Sequence, residues 1–435
     1  MTPQIAFPAP YMKEPMTSTA EKAPKNVSSF AFWSQPATER AQTFAELRHE
    51  APVSYQDPSD IGLSRASRGF WAVTTHADVQ HVSRTPALFC SGEGVGMGEI
   101  PREMLELNAS FLVMDDPKHA ELRRIVSGVF TPKQVARLSD EITAEANRIV
   151  DEFVVNGGGD VVEDFAMKLP LWTISNMMGV PPSLRLELVR AAEGQLASQD
   201  PEFLQEGRTA SEVAIEAGMT MHSIAHELVS DRRNNPGDDI LSKLVHSELG
   251  GEPLSDAVLG GVFVLFATAG NDTTRTTTSH GVKLLADHEN EWVSLYEEPA
   301  LLNSAVEEMV RYVTPVIHFR RTTTQDTELG GVEIKKGEPV VLFYESANHD
   351  ETVFNDPGRF DIRRNPNPHV GFGGGGAHFC LGANLARVQL RALFGRLAEQ
   401  AELIEVGTPD YLISNFSNGI KRMPVTITPR SHSSS

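Results

Sequence analysis

The stretch Gly371-Phe372-Gly373-Gly374-Gly375-Gly376-Ala377-His378-Phe379-Cys380-Leu381-Gly382 carries the strongest fold signal in this 435-residue chain. Its four consecutive glycines form a backbone without side chains, which can approach a large flat ligand closely. The loop ends at Cys380, just before a predicted helix that contains Arg387. Helix N-termini and nearby cations stabilise a thiolate. The stretch therefore favours a reactive cysteine beside a ligand-binding loop.

Two other interpretations of the glycine loop are weaker. Gly371, Gly373 and Gly376 match the dinucleotide pattern G-x-G-x-x-G, but residues 363–369 before them are polar and proline-rich, whereas that site requires an apolar strand. No Gly-Lys-Ser/Thr sequence follows, which excludes a Walker loop. A flexible loop beside a buried structural cysteine remains the alternative, because lone cysteines usually pack in the core.

Composition and charge limit the class of protein. With 40% hydrophobic and 22% charged residues, the chain is globular. Its 38 basic and 58 acidic residues give a net charge of −20, which disfavours nucleic acids and anionic membranes as partners. Two cysteines predict a reducing compartment. The longest uncharged run, 257–271, is shorter than the roughly 20 residues that span a bilayer, so we expect a cytoplasmic protein without a membrane anchor.

Helical patterns dominate the chain, and short β-like segments occur toward both ends. Apolar residues recur at helical spacing in four segments, 132–155, 255–288, 301–313 and 383–397. We therefore expect one mainly α domain with small β-sheets over residues 29–430. Residues 1–28 are predicted to form a disordered tail, and residues 431–435 a polar tail.

Two further patterns place polar side chains inside apolar helices. Glu308 and Arg311, at i and i+3, share one face of a helix whose apolar residues spread around it, so a buried ion pair is expected rather than a solvated one. Ala269-Gly270-Asn271-Asp272-Thr273-Thr274 lies inside the longest helical pattern, although glycine and β-branched threonines are poor helix formers. A packing glycine with threonines bonded back to the helix backbone is the alternative to a functional role.

The glycine loop resembles that of the cytochromes P450, which carry a Phe, Gly, Gly, His or Arg, Cys, Gly loop. Phe372 stands eight residues before Cys380, one more than in most members. The extra glycine resembles the Gly-Phe-Gly-Gly-x-Gly-Ala-His form of actinobacterial members that oxidise sterol side chains and methyl-branched lipids. The resemblance extends from about Phe30 to Thr428. It implies the cytochrome P450 fold and a haem b cofactor whose iron is ligated by the Cys380 thiolate, with Phe372 beside the cofactor.

The motifs inside the apolar helices match further family positions. The family's E-x-x-R motif matches Glu308 and Arg311, and its third member matches Arg359 in Asp356-Pro357-Gly358-Arg359. The resemblance implies that these three residues form a structural set that holds the cysteine loop. The distal-helix motif implies that Gly270 leaves a groove for dioxygen. By the same resemblance, Asp272 and Thr273 organise the protons that dioxygen chemistry requires.

The donors to the haem propionates and the substrate pocket follow from the same resemblance. Propionates need cationic or neutral donors, and the matching positions are His119, Arg123, Arg321 and His378. The positions that line the distal pocket are Val264, Leu265, Ala269, Val313, Val316, Ile317 and Phe416. All of these pocket side chains are apolar, which favours a hydrocarbon substrate.

The resemblance implies a monooxygenase that inserts one oxygen atom of O2 into a C–H bond, with electrons from a ferredoxin and its reductase. We expect a small apolar substrate, hydroxylated at or near the terminus of a methyl-branched lipid, an isoprenoid or a sterol side chain. A compact aromatic or polyketide-type substrate is the alternative within the family. A peroxide-driven enzyme and a non-catalytic thiolate-haem sensor or carrier are alternatives of other kinds.

A cluster of arginines predicts where the electron donor binds. Residues 362–398 contain no acid and five arginines, Arg363, Arg364, Arg387, Arg391 and Arg396. Opposite charge steers association, so we expect an acidic ferredoxin to dock near Cys380 on a monomeric protein. The alternative is that these arginines pair with propionates and internal acids.

Overall fold

Long helices make up most of the chain, as the apolar spacing predicts. The computed structural model describes residues 25–60, 68–99, 102, 105, 109–128, 132–204 and 207–431. Within that part the helices are α1 (Phe30–Trp33), α2 (Ala37–Glu50), α3 (His76–Arg84), α4 (Lys118–Ser127), α5 (Pro132–Val155), α6 (Lys168–Met178), α7 (Pro182–Leu196), α8 (Ala210–Asn234), α9 (Ile240–Val245), α10 (Asp256–Asp287), α11 (Glu289–Glu297), α12 (Leu302–Val313), α13 (Tyr344–Ala347) and α14 (Ala383–Gln400). Short 3-10 turns lie at Phe111–Val113 and Pro299–Leu301, and a π-helical turn at Val161–Ala166.

The strands are short and form small sheets. They are β1 (Val53–Gln56), β2 (Phe70–Val73), β3 (Phe89–Cys90), β4 (Gly158–Asp160), β5 (Glu248–Leu249), β6 (Glu252–Pro253), β7 (His318–Thr323), β8 (Thr327–Leu329), β9 (Val332–Ile334), β10 (Pro339–Phe343), β11 (Ala401–Val406), β12 (Asp410–Tyr411), β13 (Ile420–Arg422) and β14 (Pro424–Pro429). The largest sheet has the order β1-β2-β10-β7-β3, and only its β2–β10 pair is parallel. The predicted class, mainly α with small β-sheets, is confirmed, although the strands are not limited to the two ends of the chain, since β4, β5 and β6 lie in its middle.

The 32-residue helix α10 positions the distal motif inside the protein. It begins after Ser255, whose side chain accepts a hydrogen bond from the amide of Val258. The helix packs against α6, α7, α8 and α12, and most of its apolar residues are buried. Asn271 and Asp272 are therefore held in the protein interior, where a polar side chain needs a partner.

The five-stranded sheet separates two smaller cores from each other. Successive residues of β10 alternate between them, because side chains along a strand point to opposite faces. Val340 and Leu342 pack in the core that contains Val79, and Val341 and Phe343 pack in the core that contains Phe44. Both faces of the sheet are therefore covered.

Val27 and Ser28 are buried, so the prediction of a disordered tail up to residue 28 is wrong at its end. The Val27 amide donates to Gln56 Oε1 at 3.0 Å, and Trp33 Nε1 donates to the Val27 carbonyl at 3.0 Å. The rest of the predicted tails, residues 1–24 and 432–435, lies outside the described residues, and the single-domain organisation stays a prediction. Among the helices that the structure describes, none has both the length and the apolar character needed to cross a membrane.

Candidate active site

Cys380 lies between the glycine loop and helix α14. Its amide donates to the carbonyl of Phe372 at 2.9 Å, and its sulfur faces the amides of Gly382 and Ala383 at the start of the helix. The side chain is exposed, yet enough protein surrounds it for desolvation to raise the pKa of the thiol. The two amides and the charges of Arg123 and Arg387 oppose that rise. Cys380 is therefore accessible although protein surrounds it closely, and the two amides and the two arginines are the groups that would stabilise its thiolate.

The glycines of the loop pack against helix α3. A Cβ at Gly374 would lie 2.4 Å from Ser83 Oγ, and one at Gly376 would lie 2.3 Å from the Ser83 carbonyl oxygen. Gly375 and Gly376 also have positive φ angles of 91° and 76°, which side chains disfavour. The expectation that the bare backbone faces a flat ligand is therefore wrong for Gly374 and Gly376.

Phe372 connects the cysteine loop to an ion pair. The Arg387 guanidinium lies 4.4 Å from the centre of the Phe372 ring, and its Nε and Nη2 donate to Glu307 at 2.6 and 2.8 Å. Burial opposes ionisation of Glu307, but hydrogen bonds from Arg387 and His369 lower its pKa to about 2. The Phe372 ring is thus fixed by a charged pair rather than by apolar packing alone.

The rings of His119 and His378 lie against each other with their centres 4.2 Å apart and their planes tilted by 35°. His119 Nδ1 contacts Asp116 at 3.3 Å and His378 Nε2 contacts Ser91 at 3.2 Å, whereas His119 Nε2 and His378 Nδ1 are buried without a hydrogen-bond partner. Burial lowers the pKa of His119. Burial, with the charges of Arg321, His119 and Arg123, lowers the pKa of His378 to about 3. Both rings are neutral at pH 7, and each has a nitrogen available to a ligand.

Arg321 and Arg123 add positive charge to the same region. Arg321 is buried in β7 and donates through Nη1 to the Arg320 carbonyl at 2.8 Å, while Arg123 Nη2 donates to the Phe379 carbonyl. Neither forms an ion pair with a carboxylate of the described residues. Buried cations require anionic partners. These arginines, the two histidines and Cys380 therefore fit a cofactor that brings carboxylates and an iron, as haem does.

Glu308 and Arg311 form a fully buried pair in helix α12. Arg311 Nε and Nη2 each donate to the Glu308 carboxylate at 2.8 Å, and both side chains are 0% exposed. The expectation for Arg359 is wrong, because its side chain is exposed and only its carbonyl joins the cluster, accepting from Arg311 at 3.2 Å. The third charged member is Arg364, whose Nε donates to both Glu308 oxygens at 3.1 Å. The turn after residue 356 brings the later arginine inward.

The distal motif of helix α10 is tightly bonded. Thr273 Oγ1 donates to the carbonyl of Ala269 at 2.8 Å. Asp272 Oδ1 accepts from Arg275 Nη2 at 2.6 Å, and its Oδ2 accepts from Ser417 Oγ at 2.8 Å. A Cβ at Gly270 would lie 2.6 Å from Ile174 of α6. Close packing of the two helices therefore explains Gly270, and Thr273 bonds back to the helix backbone. Both observations match the alternative, in which this motif has a packing role and no functional one.

Comparisons with known proteins agree with this geometry. The cytochrome P450 family model matches residues 204–412. The chain is 40% identical over 407 residues to a methyl-branched lipid omega-hydroxylase of Mycobacterium tuberculosis, covering 92% of this chain and 94% of the relative. It is also 40% identical over 394 residues to a steroid C26-monooxygenase of Mycolicibacterium smegmatis, covering 89% and 90%. The chain belongs to the cytochrome P450 family.

A solved structure extends the likeness to three dimensions. A Mycobacterium marinum cytochrome P450 in complex with pseudoionone superposes with a TM-score of 0.91 at 47% identity, covering 94% of this chain and 100% of that one. The cytochrome P450 fold predicted from the loop is confirmed. As a cytochrome P450 the protein is a monooxygenase, an oxidoreductase whose family carries a cysteine-ligated haem and uses O2 with electrons from a redox partner.

The expected pocket residues of this cytochrome P450 fall into two groups. Leu265, Ala269 and Thr273, four residues apart on α10, are partly or fully exposed, as are Val316 and Phe416. The three helix residues form a stripe that faces open space beside the core. The remaining expected lining residues are more buried: Val264 and Val313 keep only 6% and 5% exposure, and Ile317 keeps none. The expectation for Ile317 is wrong, because its side chain packs in the core behind the sheet, in the cluster that holds Phe343.

Most of the predicted arginine cluster is neutralised. The ion pairs are Arg363 with Glu298, Arg364 with Glu308, Arg387 with Glu307 and Arg396 with Asp151. Arg391 forms none with the described residues. Four of the five arginines therefore pair with acids of the chain, the Arg363 and Arg396 pairs at the surface, and the cluster is not the expected patch of free positive charge.

Sequence reasoning missed two partners of the cytochrome P450 acid motif. Arg275 lies three residues after Asp272, the same i, i+3 spacing that indicated the Glu308 pair, so the sequence does contain a signal for it. Ser417 lies 145 residues away from Asp272, and no local pattern indicates that contact.

Proposed function

We propose that this cytochrome P450 hydroxylates the terminal carbon of a long methyl-branched lipid, an isoprenoid or a sterol side chain. The observation that carries the proposal is the 40% identity, over about nine-tenths of the chain, to a methyl-branched lipid omega-hydroxylase and a steroid C26-monooxygenase. The structural relative bound to pseudoionone supports an apolar chain-like substrate. In the balanced reaction, one atom of O2 enters the C–H bond and the other leaves as water, with two protons and with two electrons from NAD(P)H through a ferredoxin and its reductase.

The chain's own residues supply the cofactor site. We assign Cys380 as the thiolate ligand, Phe372 as the ring beside it, and His119, Arg123, Arg321 and His378 as the partners of the propionates. The two histidines have a buried ring nitrogen without a partner, and the two arginines bring positive charge. A thiolate-ligated haem supplies activation of O2 and cleavage of the O–O bond. The Glu308–Arg311–Arg364 cluster supports the loop that presents Cys380.

The helix residues organise the substrate and the protons. Leu265, Ala269 and Phe416 give the open space an apolar wall, and burial of hydrocarbon there is worth about 25 cal/mol per Å². A terminal C–H bond is stronger than its tertiary neighbour, so the wall must select the terminus by holding the chain end in place. Thr273 and Asp272 hold the hydroxyl and the carboxylate through which protons enter from water.

The electron donor is proposed to be an acidic ferredoxin that binds the loop face, which we define as Arg84 and Arg124 around Gly375 and Gly376. A Cβ at Gly375 would lie 2.9 Å from Arg84 Nε. Arg123, Arg124 and Gly376 line one recess of about 460 Å³. Arg84 and Arg124 are exposed and form no ion pair with the described residues, so their charge is available to an acidic partner.

A spectral titration followed by product analysis tests the proposed function. We expect pseudoionone, a methyl-branched fatty acid and a sterol with an intact side chain to convert the haem from low to high spin, and turnover to place the hydroxyl on a terminal methyl group. A shift with a compact aromatic but none with the branched compounds, or a hydroxyl in mid-chain, would show that the substrate class is wrong. The Cys380→Ser variant, as control, should lose the long-wavelength absorption of the carbon-monoxide complex that thiolate ligation gives.

A further inference from the structure

The turn of residues 414–418 is bonded to helix α10 at two points. Ser417 Oγ donates to Asp272 Oδ2 at 2.8 Å. One step along the turn, the Asn418 carbonyl accepts from His280 Nε2 at 2.7 Å. Asp272 and His280 lie eight residues apart, about 12 Å along the helix axis. The turn therefore contacts the helix over two helical turns, with the acid at one end of the contact.

Asp272 has a defined partner for each carboxylate oxygen. Arg275 Nη2 holds Oδ1 at 2.6 Å, and the same guanidinium also binds Glu193 of helix α7. Ser417 holds Oδ2 and is the one partner of Asp272, among the described residues, that comes from outside helix α10. Asp272 and Ser417 are 5% and 1% exposed, so water does not compete freely for this bond.

Ser417 has little freedom of its own. Its amide donates to Ser414 Oγ at 3.2 Å, and its backbone forms an isolated β-bridge with Val316. The neighbouring Phe416 carbonyl accepts from the amide of Ile317 at 2.8 Å. A hydroxyl on so constrained a backbone fixes the carboxylate that it binds.

Phe416 connects this turn to the proposed pocket. Its ring is partly exposed and packs against Phe319 with ring centres 5.6 Å apart. A substrate that contacts the Phe416 ring acts on the residue directly before Ser417. The backbone bonds of this turn leave little room for movement within it. A displacement of Phe416 therefore also displaces Ser417, and the Ser417 hydroxyl passes the displacement to Asp272.

We propose that Ser417 is a positioning residue for Asp272, which makes proton delivery dependent on how the substrate seats against Phe416. This inference rests on the proposed role of Asp272. Arg275 neutralises the carboxylate from its own helix, whereas Ser417 sets the direction of the second oxygen from the substrate-lining turn. A substrate that seats poorly then leaves the acid misplaced, and electrons are lost: O2, NAD(P)H and one proton give hydrogen peroxide and NAD(P)+ in place of product.

The test compares Ser417→Ala with Ser417→Thr, which keeps the hydroxyl, and with Ser346→Ala as control. Ser346 is equally buried, at 1% exposure, and its hydroxyl also bonds a charged group, Arg48. For Ser417→Ala we expect a substrate-binding spin shift like that of the parent, a several-fold fall in product formed per NAD(P)H, and a changed solvent isotope effect on turnover. Ser417→Thr should recover most of the coupling, and Ser346→Ala should retain it.

Combination with Asp272→Asn separates this inference from the proposed function. If Ser417 acts through Asp272, Ser417→Ala should add little to the uncoupling of Asp272→Asn. Full coupling in Ser417→Ala while Asp272→Asn is uncoupled, or additive losses in the double variant, would overturn the inference alone. Full coupling in Asp272→Asn would instead remove the proposed role of the acid.

Discussion

At the residue scale, a single buried charge determines which surrounding side chains have a structural role. Glu308 receives four kinds of donor: Arg311, Arg364 Nε, Asn367 Nδ2 at 3.0 Å and the Asp361 amide at 3.0 Å. A carboxylate with no exposure needs all of them, since each lost donor leaves charge in a low-dielectric interior. The i, i+3 spacing sufficed to predict Arg311. It could not distinguish Arg359 from Arg364, because the path of an irregular turn has no periodicity.

The variants Arg364→Gln and Arg359→Gln should therefore differ sharply in their free energy of unfolding. Removal of Arg364 leaves the Glu308 charge undercompensated and should cost about 3–5 kcal/mol of unfolding free energy. Removal of the exposed Arg359 side chain should cost no more than about 0.5 kcal/mol. Apparent unfolding midpoints of the two purified holoproteins measure the difference. Equal midpoints would contradict the role of Arg364, and a lower midpoint for Arg359→Gln would return that role to Arg359.

At the scale of elements, a motif predicts the existence of a structure better than its contacts. The glycine run predicted the loop that carries Cys380. The distal motif and the apolar spacing predicted the long helix, and the structure has both elements in these places. They could not show that Gly374 faces helix α3, that Gly270 faces Ile174 or that Ile317 lies behind the sheet. A glycine allows another segment to approach its backbone closely. The local sequence does not show which segment approaches, because that segment comes from a distant part of the chain.

The packing of the loop against helix α3 predicts the effect of Gly374→Ala. Its new Cβ would meet Ser83 Oγ at 2.4 Å, Ser83 Cβ at 2.8 Å and the Val79 carbonyl oxygen at 2.9 Å. The hydroxyl can rotate away, but the Cβ and the carbonyl cannot yield without moving the helix. Such overpacking should cost about 1–3 kcal/mol and disturb the cysteine loop. The apparent unfolding midpoint and the long-wavelength fraction of the carbon-monoxide complex should both fall. Gly358→Ala, where no atom lies within 4 Å of the new Cβ, is the control; an equal loss there would show that the contact with α3 is unimportant.

At the scale of the whole molecule, the distribution of charge matters more than its sum. A net charge of −20 repels an acidic partner at long range, and the structure neutralises most of the arginines that sequence reasoning had assigned to docking. Among the described residues, Arg84 and Arg124 of the loop face are exposed, form no ion pair and lie beside the cysteine loop, where such a partner can bind them. Surface charges act within a Debye length of about 10 Å at 0.1 M salt, so local cations outweigh distant acids.

This distribution predicts how first-electron transfer from an acidic ferredoxin depends on salt. The apparent second-order rate should fall as ionic strength rises, because opposite charges steer the encounter. Arg84→Ala and Arg124→Ala should each lower the rate several-fold at low salt and flatten its salt dependence. Arg190→Ala removes an exposed cation of helix α7 and should leave both unchanged. Stopped-flow reduction under carbon monoxide measures the rate, and the substrate-induced spin shift shows that each variant keeps its distal side intact. A rate indifferent to salt and to both loop-face variants would place the ferredoxin elsewhere on the molecule.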